Sequence, residues 1–76
     1  MRNNLEPHVE WCVIRFVNGR FERARDGYKT ADNARRGIPS VAKAYLAEGG
    51  DKNATYAVGS YSVGNVVVRG KFAKCA

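Results

Sequence analysis

The residue types best suited to catalysis meet at one place, near the amino terminus. His8, Glu10 and Cys12 alternate along a segment whose composition favours a β-strand, so their side chains point to one face. Neighbours in such a row are about 6.6 Å apart, too far for the hydrogen bond that a nucleophile needs from its base. A metal would need a fourth ligand from elsewhere. We therefore expect no catalytic residue, metal or cofactor, and predict a protein that is not an enzyme.

The eight glycines do not form a phosphate-binding loop, since neither GxxxxGK[ST] nor GxGxxG occurs. Most of them are typical of turns and helix ends. Gly59 and Gly70 are predicted to lie inside strands and opposite each other. Such a pair leaves a dent, which Tyr45 or Leu46 of a covering helix is expected to fill.

Charge is the strongest constraint on function. Thirteen Lys and Arg residues face seven Asp and Glu, for a net charge of +6. A field of this sign attracts nucleic acid, a nucleoprotein or an acidic protein surface. In a chain of ordinary hydrophobic content, the same charge also serves solubility.

The cations form two candidate binding patches. One lies on the predicted solvent face of the last hairpin and comprises Tyr56, Ser60, Arg69 and Lys71. The other surrounds the first hairpin and the first helical turn and comprises Arg20, Arg23, Arg25, Arg35 and Arg36. Aromatic rings interleaved with cations on a sheet face hold single strands by stacking and phosphate contacts. Trp11 would join the platform if its face turned outward.

The first two strands are predicted over 9–17 and 21–25. Asn18-Gly19 between them is the strongest short signal for a type I′ hairpin turn. A two-residue turn pairs Phe16 with Phe21, Arg15 with Glu22, and Ile14 with Arg23. Neither face of this hairpin is fully polar, and we expect the face of Ile14, Phe16 and Phe21 to be the buried one. Asp26-Gly27 is predicted to be a turn.

A helix is predicted from Ala31, with Thr30 as its cap, to about Glu48, where Gly49-Gly50 ends it. Pro39 removes a helical hydrogen bond, so a kink or break near Gly37–Pro39 is expected. One apolar stripe is expected to cover the sheet and consists of Ile38, Val41, Ala42, Tyr45 and Leu46.

The last two strands are predicted to pair around a Gly64-Asn65 turn. Counting outward, the predicted pairs are Val63 with Val66, Tyr61 with Val68, Gly59 with Gly70, and Ala57 with Phe72. These residues share an apolar face, which we expect to meet the helix. The opposite, basic face is expected to be open.

The resulting architecture is a small α+β domain, ββαββ, with a four-stranded antiparallel sheet and one kinked or broken helix on one face. Residues 1–8 are predicted to form a flexible leader, and residues 9–76 the domain. A chain of 76 residues buries only about 60% of its unfolded surface, so an enclosed pocket is not expected.

The two cysteines, Cys12 and Cys75, are too few for a disulfide framework, and their spacing is not that of a zinc site. They therefore suggest a reducing cellular compartment. A single bridge between them stays open as an alternative. The sequence has no run of signal-peptide length and no membrane span. An intracellular, cytoplasmic location is expected.

No family motif is recognised. In size, charge and lack of catalytic groups, the chain is similar to small inhibitor proteins of phage and mobile elements, some of which block a host enzyme or a CRISPR complex. That likeness carries over no residue. Two functions are therefore predicted as alternatives: contact with nucleic acid or a nucleoprotein through a basic sheet face, or inhibition of a protein by surface occupation.

Overall fold

A computed structural model describes residues 9–62 and 65–75. Its elements follow the chain as β1 (Glu10–Val17), β2 (Arg20–Tyr28), α1 (Ala31–Ala47), β3 (Thr55–Ser62), β4 (Asn65–Val68) and β5 (Ala73–Lys74). The antiparallel sheet has the strand order β2-β1-β3-β4, and the short β5 also pairs with β3. With α1 packed against this sheet, the α+β prediction is confirmed, with one strand more than expected.

The first hairpin has the predicted register, with Phe16 opposite Phe21 and Ile14 opposite Arg23. Asn18 and Gly19 have φ angles of 55° and 76°. Two successive positive φ values are those of a type I′ turn, whose twist matches that of the strands.

The second strand extends beyond its predicted end at Arg25 and reaches Tyr28. The register with β1 shifts twice between Trp11 and Ile14, and Gly27 has a φ of 86°. Asp26-Gly27 therefore belongs to an irregular, bulged part of the strand and not to the predicted turn.

Helix α1 begins as predicted, since the Thr30 side-chain oxygen accepts a hydrogen bond from the Asn33 backbone N–H at 3.1 Å. It then runs through Pro39 without the break that the sequence suggested. Buried residues on both sides of the proline, Ala34 before it and Val41 after it, hold the two halves on one core. This shared packing outweighs a proline cost of about 3 kcal/mol.

The end of α1 also follows the prediction. Gly49 has a φ of 88°, and the N–H of Gly50 donates to the carbonyl of Tyr45 at 2.9 Å. The N–H of Gly49 donates to the carbonyl of Leu46 at 3.0 Å. These two bonds form a Schellman motif, which satisfies carbonyls that the helix leaves unpaired.

The core lies on the sheet face that the sequence assigned to solvent. Its buried members come from both hairpins and α1: Val13, Ala34, Val41, Ala42, Ala54, Tyr56 and Val58. Trp11 and Val17 pack against this cluster. The predicted burial of the Ile14, Phe16 and Phe21 face under the helix is therefore wrong, and so is the predicted exposure of Tyr56. Leu46, predicted in the helix stripe, is exposed.

A small residue explains why the faces were interchanged. A Cβ atom at Gly59 would clash with Cδ1 of Ile14, so the Ile14 side chain fills the space above this glycine. Ile14 is thereby buried on the face away from α1, while Val13, Tyr56 and Val58 are left to meet the helix. The expected filling of this dent by Tyr45 or Leu46 is wrong.

The last hairpin changes register along its length. At β5, Tyr56 pairs with Ala73, which agrees with the predicted register. At β4, Tyr61 pairs with Val66 and Gly59 with Val68, two residues away from the prediction. Gly70 therefore does not pair with Gly59. The intervening residues, 69–72, stand between the two short strands.

The 1–8 leader and the position of Gly64 lie outside the described residues. The predicted Val63–Val66 pair is wrong, because Val66 pairs with Tyr61. Asn65, predicted as a central turn residue, belongs to β4 and pairs with Ser62. Within the part of the chain that is described, no helix is long and apolar enough to cross a membrane.

Candidate nucleic-acid interface

A concave groove of about 510 Å³ lies between α1 and the interrupted edge formed by β4 and β5. Its lining combines cations and aromatic residues, among them Trp11, Arg35, Tyr56, Arg69 and Lys71. Four of the eight predicted binding residues, Arg35, Tyr56, Arg69 and Lys71, are thus brought to one place. They lie on the helix side of the sheet and not on its open face.

The break between β4 and β5 supplies the basic wall of this groove. The N–H of Arg69 still donates to the carbonyl of Val58 at 2.9 Å, and regular pairing resumes at Ala73. Gly70 forms a bend between them, with space where a Cβ would stand. Gly70 and Lys71 therefore lie beyond the last of these hydrogen bonds, and the segment from Arg69 to Lys71 lines the groove.

Arg69 is oriented by a hydrogen bond from its Nε to Oγ of Ser60, at 2.8 Å. Ser60 is only 2% exposed, so this bond satisfies a buried hydroxyl while it holds the guanidinium plane. Arginine carries further donors on its two terminal nitrogens, in a fork that matches phosphate oxygens. Arg69 is thus a positioned cation on the groove wall.

The opposite wall carries Arg35, near the start of α1. Its Nη1 lies 2.9 Å from Oδ1 of Asp32, and Nη2 of Arg36 lies 3.4 Å from the other oxygen of the same carboxylate. One acid thus serves two arginines, and this corner of the helix keeps a net positive charge. These exposed pairs are weak, so an incoming anion can compete with Asp32.

The aromatic residue available to a ligand in the groove is Trp11. Tyr56, predicted as the stacking ring of an open platform, is 5% exposed and belongs to the core. Trp11 is half-buried and packs against the core while also lining the groove. Strand alternation correctly put Trp11 and Ile14 on opposite faces of β1, but the face of Trp11, expected to be the outer one, is the face that α1 covers.

The other four predicted binding residues do not line the groove. Arg20 borders a separate hollow beside Asn18 and Phe21 at the hairpin end. Arg25 is exposed on β2, and Arg36 is exposed on α1. Arg23 lies on the other side of the sheet, with its Cζ 4.4 Å from the centroid of the Tyr61 ring. The second predicted patch is therefore dispersed.

Arg15 forms the predicted pair with Glu22, with Nε and Oε2 2.5 Å apart. Its side chain is 14% exposed, and its Cζ lies 3.8 Å from the centroid of the Tyr45 ring of α1. Partial burial lowers the pKa of Arg15, but hydrogen bonds and charge interactions with Glu22 and Tyr56 together outweigh this and raise the pKa overall. Arg15 therefore connects the sheet with the helix, through its ion pair with Glu22 and its contact with the Tyr45 ring.

An aromatic cluster on the sheet face away from α1 was missed. The ring centroids of Phe16 and Phe21 are 4.8 Å apart, and those of Phe21 and Phe72 are 5.3 Å apart. Phe21 is nevertheless 64% exposed. The predicted pairs of Phe16 with Phe21 and of Ala57 with Phe72 contained this signal. They reveal the cluster once β1 is known to neighbour β3.

Near the other end of the same face lies a polar cluster. The Tyr61 hydroxyl donates to Oε1 of Glu10 at 2.6 Å, while Nε of Arg23 lies 3.5 Å from Oδ2 of Asp26. The hydrogen bond to Glu10 and, secondarily, burial raise the pKa of Tyr61 to about 12. Tyrosinate formation would place a second negative charge beside Glu10, which explains the direction of the shift.

The residues considered for catalysis were His8, Glu10 and Cys12, and of these His8 lies outside the described residues. Glu10 accepts the bond from Tyr61. Cys12 is buried, and this burial raises the pKa of its thiol, although nearby Arg23 acts in the opposite direction. Residues 9–62 and 65–75 contain no group of three metal-ligating side chains.

Comparisons of this chain with models of protein families, with curated proteins and with solved structures find no match.

Proposed function

We propose that this chain is a non-enzymatic binding protein that holds a single-stranded nucleic acid in the groove between α1 and the β4–β5 edge. The observation that carries the proposal is the convergence of Arg35, Arg69 and Lys71 around one concave surface that also contains Trp11. Cations that follow a backbone, combined with an aromatic side chain, are the usual means of holding single strands.

The groove's dimensions favour a single strand over a duplex. Its volume of about 510 Å³ corresponds to the space of a small ligand, so it admits one or two nucleotides. A duplex would touch only the rim, because its paired bases are not available to Trp11. Arg69, held by Ser60, is placed to contact a phosphate, while Lys71 adds a mobile point charge.

The proposal is tested by titrating the full chain with a single-stranded oligothymidine while following tryptophan fluorescence. Trp11 is the single tryptophan, so its emission reports on the groove directly. We expect quenching on binding and an affinity that falls steeply with salt. With three phosphate contacts, the slope of log K against log salt should be about −2 for a single strand.

Matched charge variants separate a site from a general effect of net charge. Arg69→Ala and Lys71→Ala remove cations that line the groove, while Arg20→Ala and Arg25→Ala remove the same charge elsewhere. Each groove variant should reduce the salt slope by about 0.7 and weaken binding. The two control variants should leave the slope nearly unchanged. Equal effects of all four, or no change in Trp11 emission, would contradict the proposal.

A protein inhibitor or adaptor of the phage type is the second candidate. It is favoured by the position of Trp11 in the same groove as Arg35 and Arg69, because Trp and Arg are the commonest anchors of protein interfaces. In that case the groove would hold an acidic protein surface. A pull-down from the native host would then yield one protein whose capture nuclease leaves unchanged, and Trp11→Ala would abolish it.

An intracellular, cytoplasmic setting is part of the proposal. Cys75 packs against the core beside the helix, whereas Cys12 lies on the face that also carries Ile14. No disulfide joins these two cysteines. Thiols kept in this form fit a reducing compartment, where nucleic acid is also found.

A further inference from the structure

We propose that the sheet face away from α1 binds a second copy of this chain, so that the protein forms a symmetric dimer. This surface, called here the open face, is defined by Phe16, Phe21, Val66, Val68 and Phe72, with Tyr61 and Arg23 beside them. The proposal is independent of nucleic-acid binding, which uses the opposite side of the sheet.

The open face exposes large apolar side chains that residues 9–62 and 65–75 do not cover. Phe21 is 64% exposed, and Val66 and Val68 are each exposed by more than two fifths. The rings of Phe16, Phe21 and Phe72 contact one another and form a continuous aromatic surface. A sheet that carries a helix on one face and apolar residues on the other is stabilised by a further layer.

The charges on the open face favour a second copy over an oppositely charged partner. Among described residues, the strand register places two cations there, Arg23 and Lys74, and Asp26 and Glu10 accompany Arg23 and Tyr61. This face is thus electrically balanced on a chain of net charge +6. A balanced face gains little from an acidic partner, whereas it can meet its own copy without local repulsion.

Two-fold symmetry makes such a face self-complementary. In an isologous interface, the cation of one copy can meet a carboxylate of the other, and the reverse contact follows by symmetry. Arg23 and Asp26 provide such a pair at the end of the open face away from the phenylalanine cluster. The two basic grooves would remain on the outer sides, where the dimer could hold two segments of one strand.

The mass of the full chain in solution tests this proposal. Sedimentation equilibrium over increasing protein concentration should show a reversible transition from monomer to dimer. Raising NaCl from about 0.1 M to about 0.5 M should strengthen the dimer, because salt screens the repulsion between two chains of charge +6. Binding at the groove is expected to change with salt in the opposite direction.

Two variants that each remove one exposed apolar side chain locate the interface. Phe21→Ser lies in the aromatic cluster of the open face, and Leu46→Ser lies on α1 and serves as control. Phe21→Ser should weaken the dimer by about tenfold or more, as expected for an exposed aromatic anchor, while Leu46→Ser should leave it unchanged.

A measurement on the unmutated chain guards against effects of misfolding. On dilution, NMR signals of Phe21, Val66 and Val68 should shift, and those of Leu46 should not. A monomer at about 1 mM protein in high salt would overturn the proposal, as would a dimer that Phe21→Ser and Leu46→Ser weaken equally. If residues 1–8 or a different protein occupied the open face, the isolated chain would be monomeric. Observation of a dimer through this face would exclude both of these occupants.

Discussion

Ile14 of β1 occupies the space that Gly59 of β3 leaves empty. Its Cδ1 atom stands where a glycine Cβ would be, and the Val67 carbonyl oxygen would lie 3.0 Å from that Cβ. This contact allows a bulky β-branched residue to be buried on the sheet face away from the helix. It also determines which residues remain for the core, since Val13 and Val58 then face α1.

A methyl group at Gly59 should therefore destabilise the protein. We expect Gly59→Ala to cost about 1–3 kcal/mol of unfolding free energy, because Ile14 must move. Urea unfolding, followed by Trp11 emission, measures this cost. Gly70→Ala is the control, because nothing lies within 4 Å of a Cβ there, and its effect should be within about 0.5 kcal/mol.

Removing the clashing atom should rescue the substitution. Ile14→Val removes Cδ1 and should cost about 0.5–1.5 kcal/mol alone. Combined with Gly59→Ala, the total should be smaller than the sum of the two single costs. Simple additivity of the two changes would show that the contact between Ile14 and residue 59 is not the cause.

Ser60→Ala should uncouple Arg69 from the sheet without changing the charge of the groove. Loss of the bond between Ser60 Oγ and Arg69 Nε should cost about 0.5–1.5 kcal/mol of stability. Binding of oligothymidine should weaken, but less than in Arg69→Ala, because the cation remains and only its orientation is lost. If Ser60→Ala keeps the salt slope of the unmutated chain, its weaker binding comes from the orientation of Arg69 and not from a lost charge. A slope as low as that of Arg69→Ala would contradict the role of Ser60 in orienting Arg69.

Arg15→Ala should reduce stability while leaving groove binding intact. The side chain is largely buried between Glu22 and the Tyr45 ring, so its removal loses packing as well as an ion pair. We expect a cost of about 1–3 kcal/mol in urea unfolding. Arg36→Ala removes an exposed arginine that lies 3.4 Å from Asp32 and should cost less than about 0.5 kcal/mol. Similar costs for the two would contradict the structural role of Arg15.

Alkaline pH should destabilise the protein through Tyr61. Its pKa is raised from 10.0 to about 12 in the folded state by the hydrogen bond to Glu10. For a raised pKa, the stabilising contribution is complete below pH 10.0 and is lost as the pH rises towards 12. Ultraviolet titration of the tyrosines should show a late step from Tyr61. Tyr61→Phe should remove that step and flatten the decline in stability, whereas a late step that persists would assign it to another tyrosine.

The cysteine thiols should differ in reactivity. Burial raises the pKa of Cys12, so little reactive thiolate forms there near neutral pH. We expect a thiol reagent to label Cys75 first and Cys12 only as the protein unfolds. Mass spectrometry of the two peptides measures the order, and rapid labelling of Cys12 in the folded protein would contradict it.

Local features were determined by the sequence alone, because they depend on neighbouring residues. The Asn18-Gly19 turn requires two positive φ angles, which these residues tolerate, and it sets the register of Phe16 with Phe21. The cap at Thr30 and the glycines after α1 likewise follow from short-range hydrogen bonding. Together with the alternating patterns of the predicted strands and the helical pattern between them, these features were enough to predict the α+β class.

Tertiary contacts decided which face of the sheet is buried and where the basic residues converge. Both faces of β1 carry large apolar residues, so alternation could not show which one is buried under the helix. The contact of Ile14 with Gly59 of the neighbouring strand β3 decided it. The two-residue change of register between β4 and β5 depends on how Val68 and Ala73 each pair with β3. That change interrupts the edge at residues 69–72, so that Arg69 and Lys71 line the groove together with Arg35 of α1. The groove thus results from contacts between residues that are distant in sequence. The free energies of such contacts cannot be inferred from local sequence patterns.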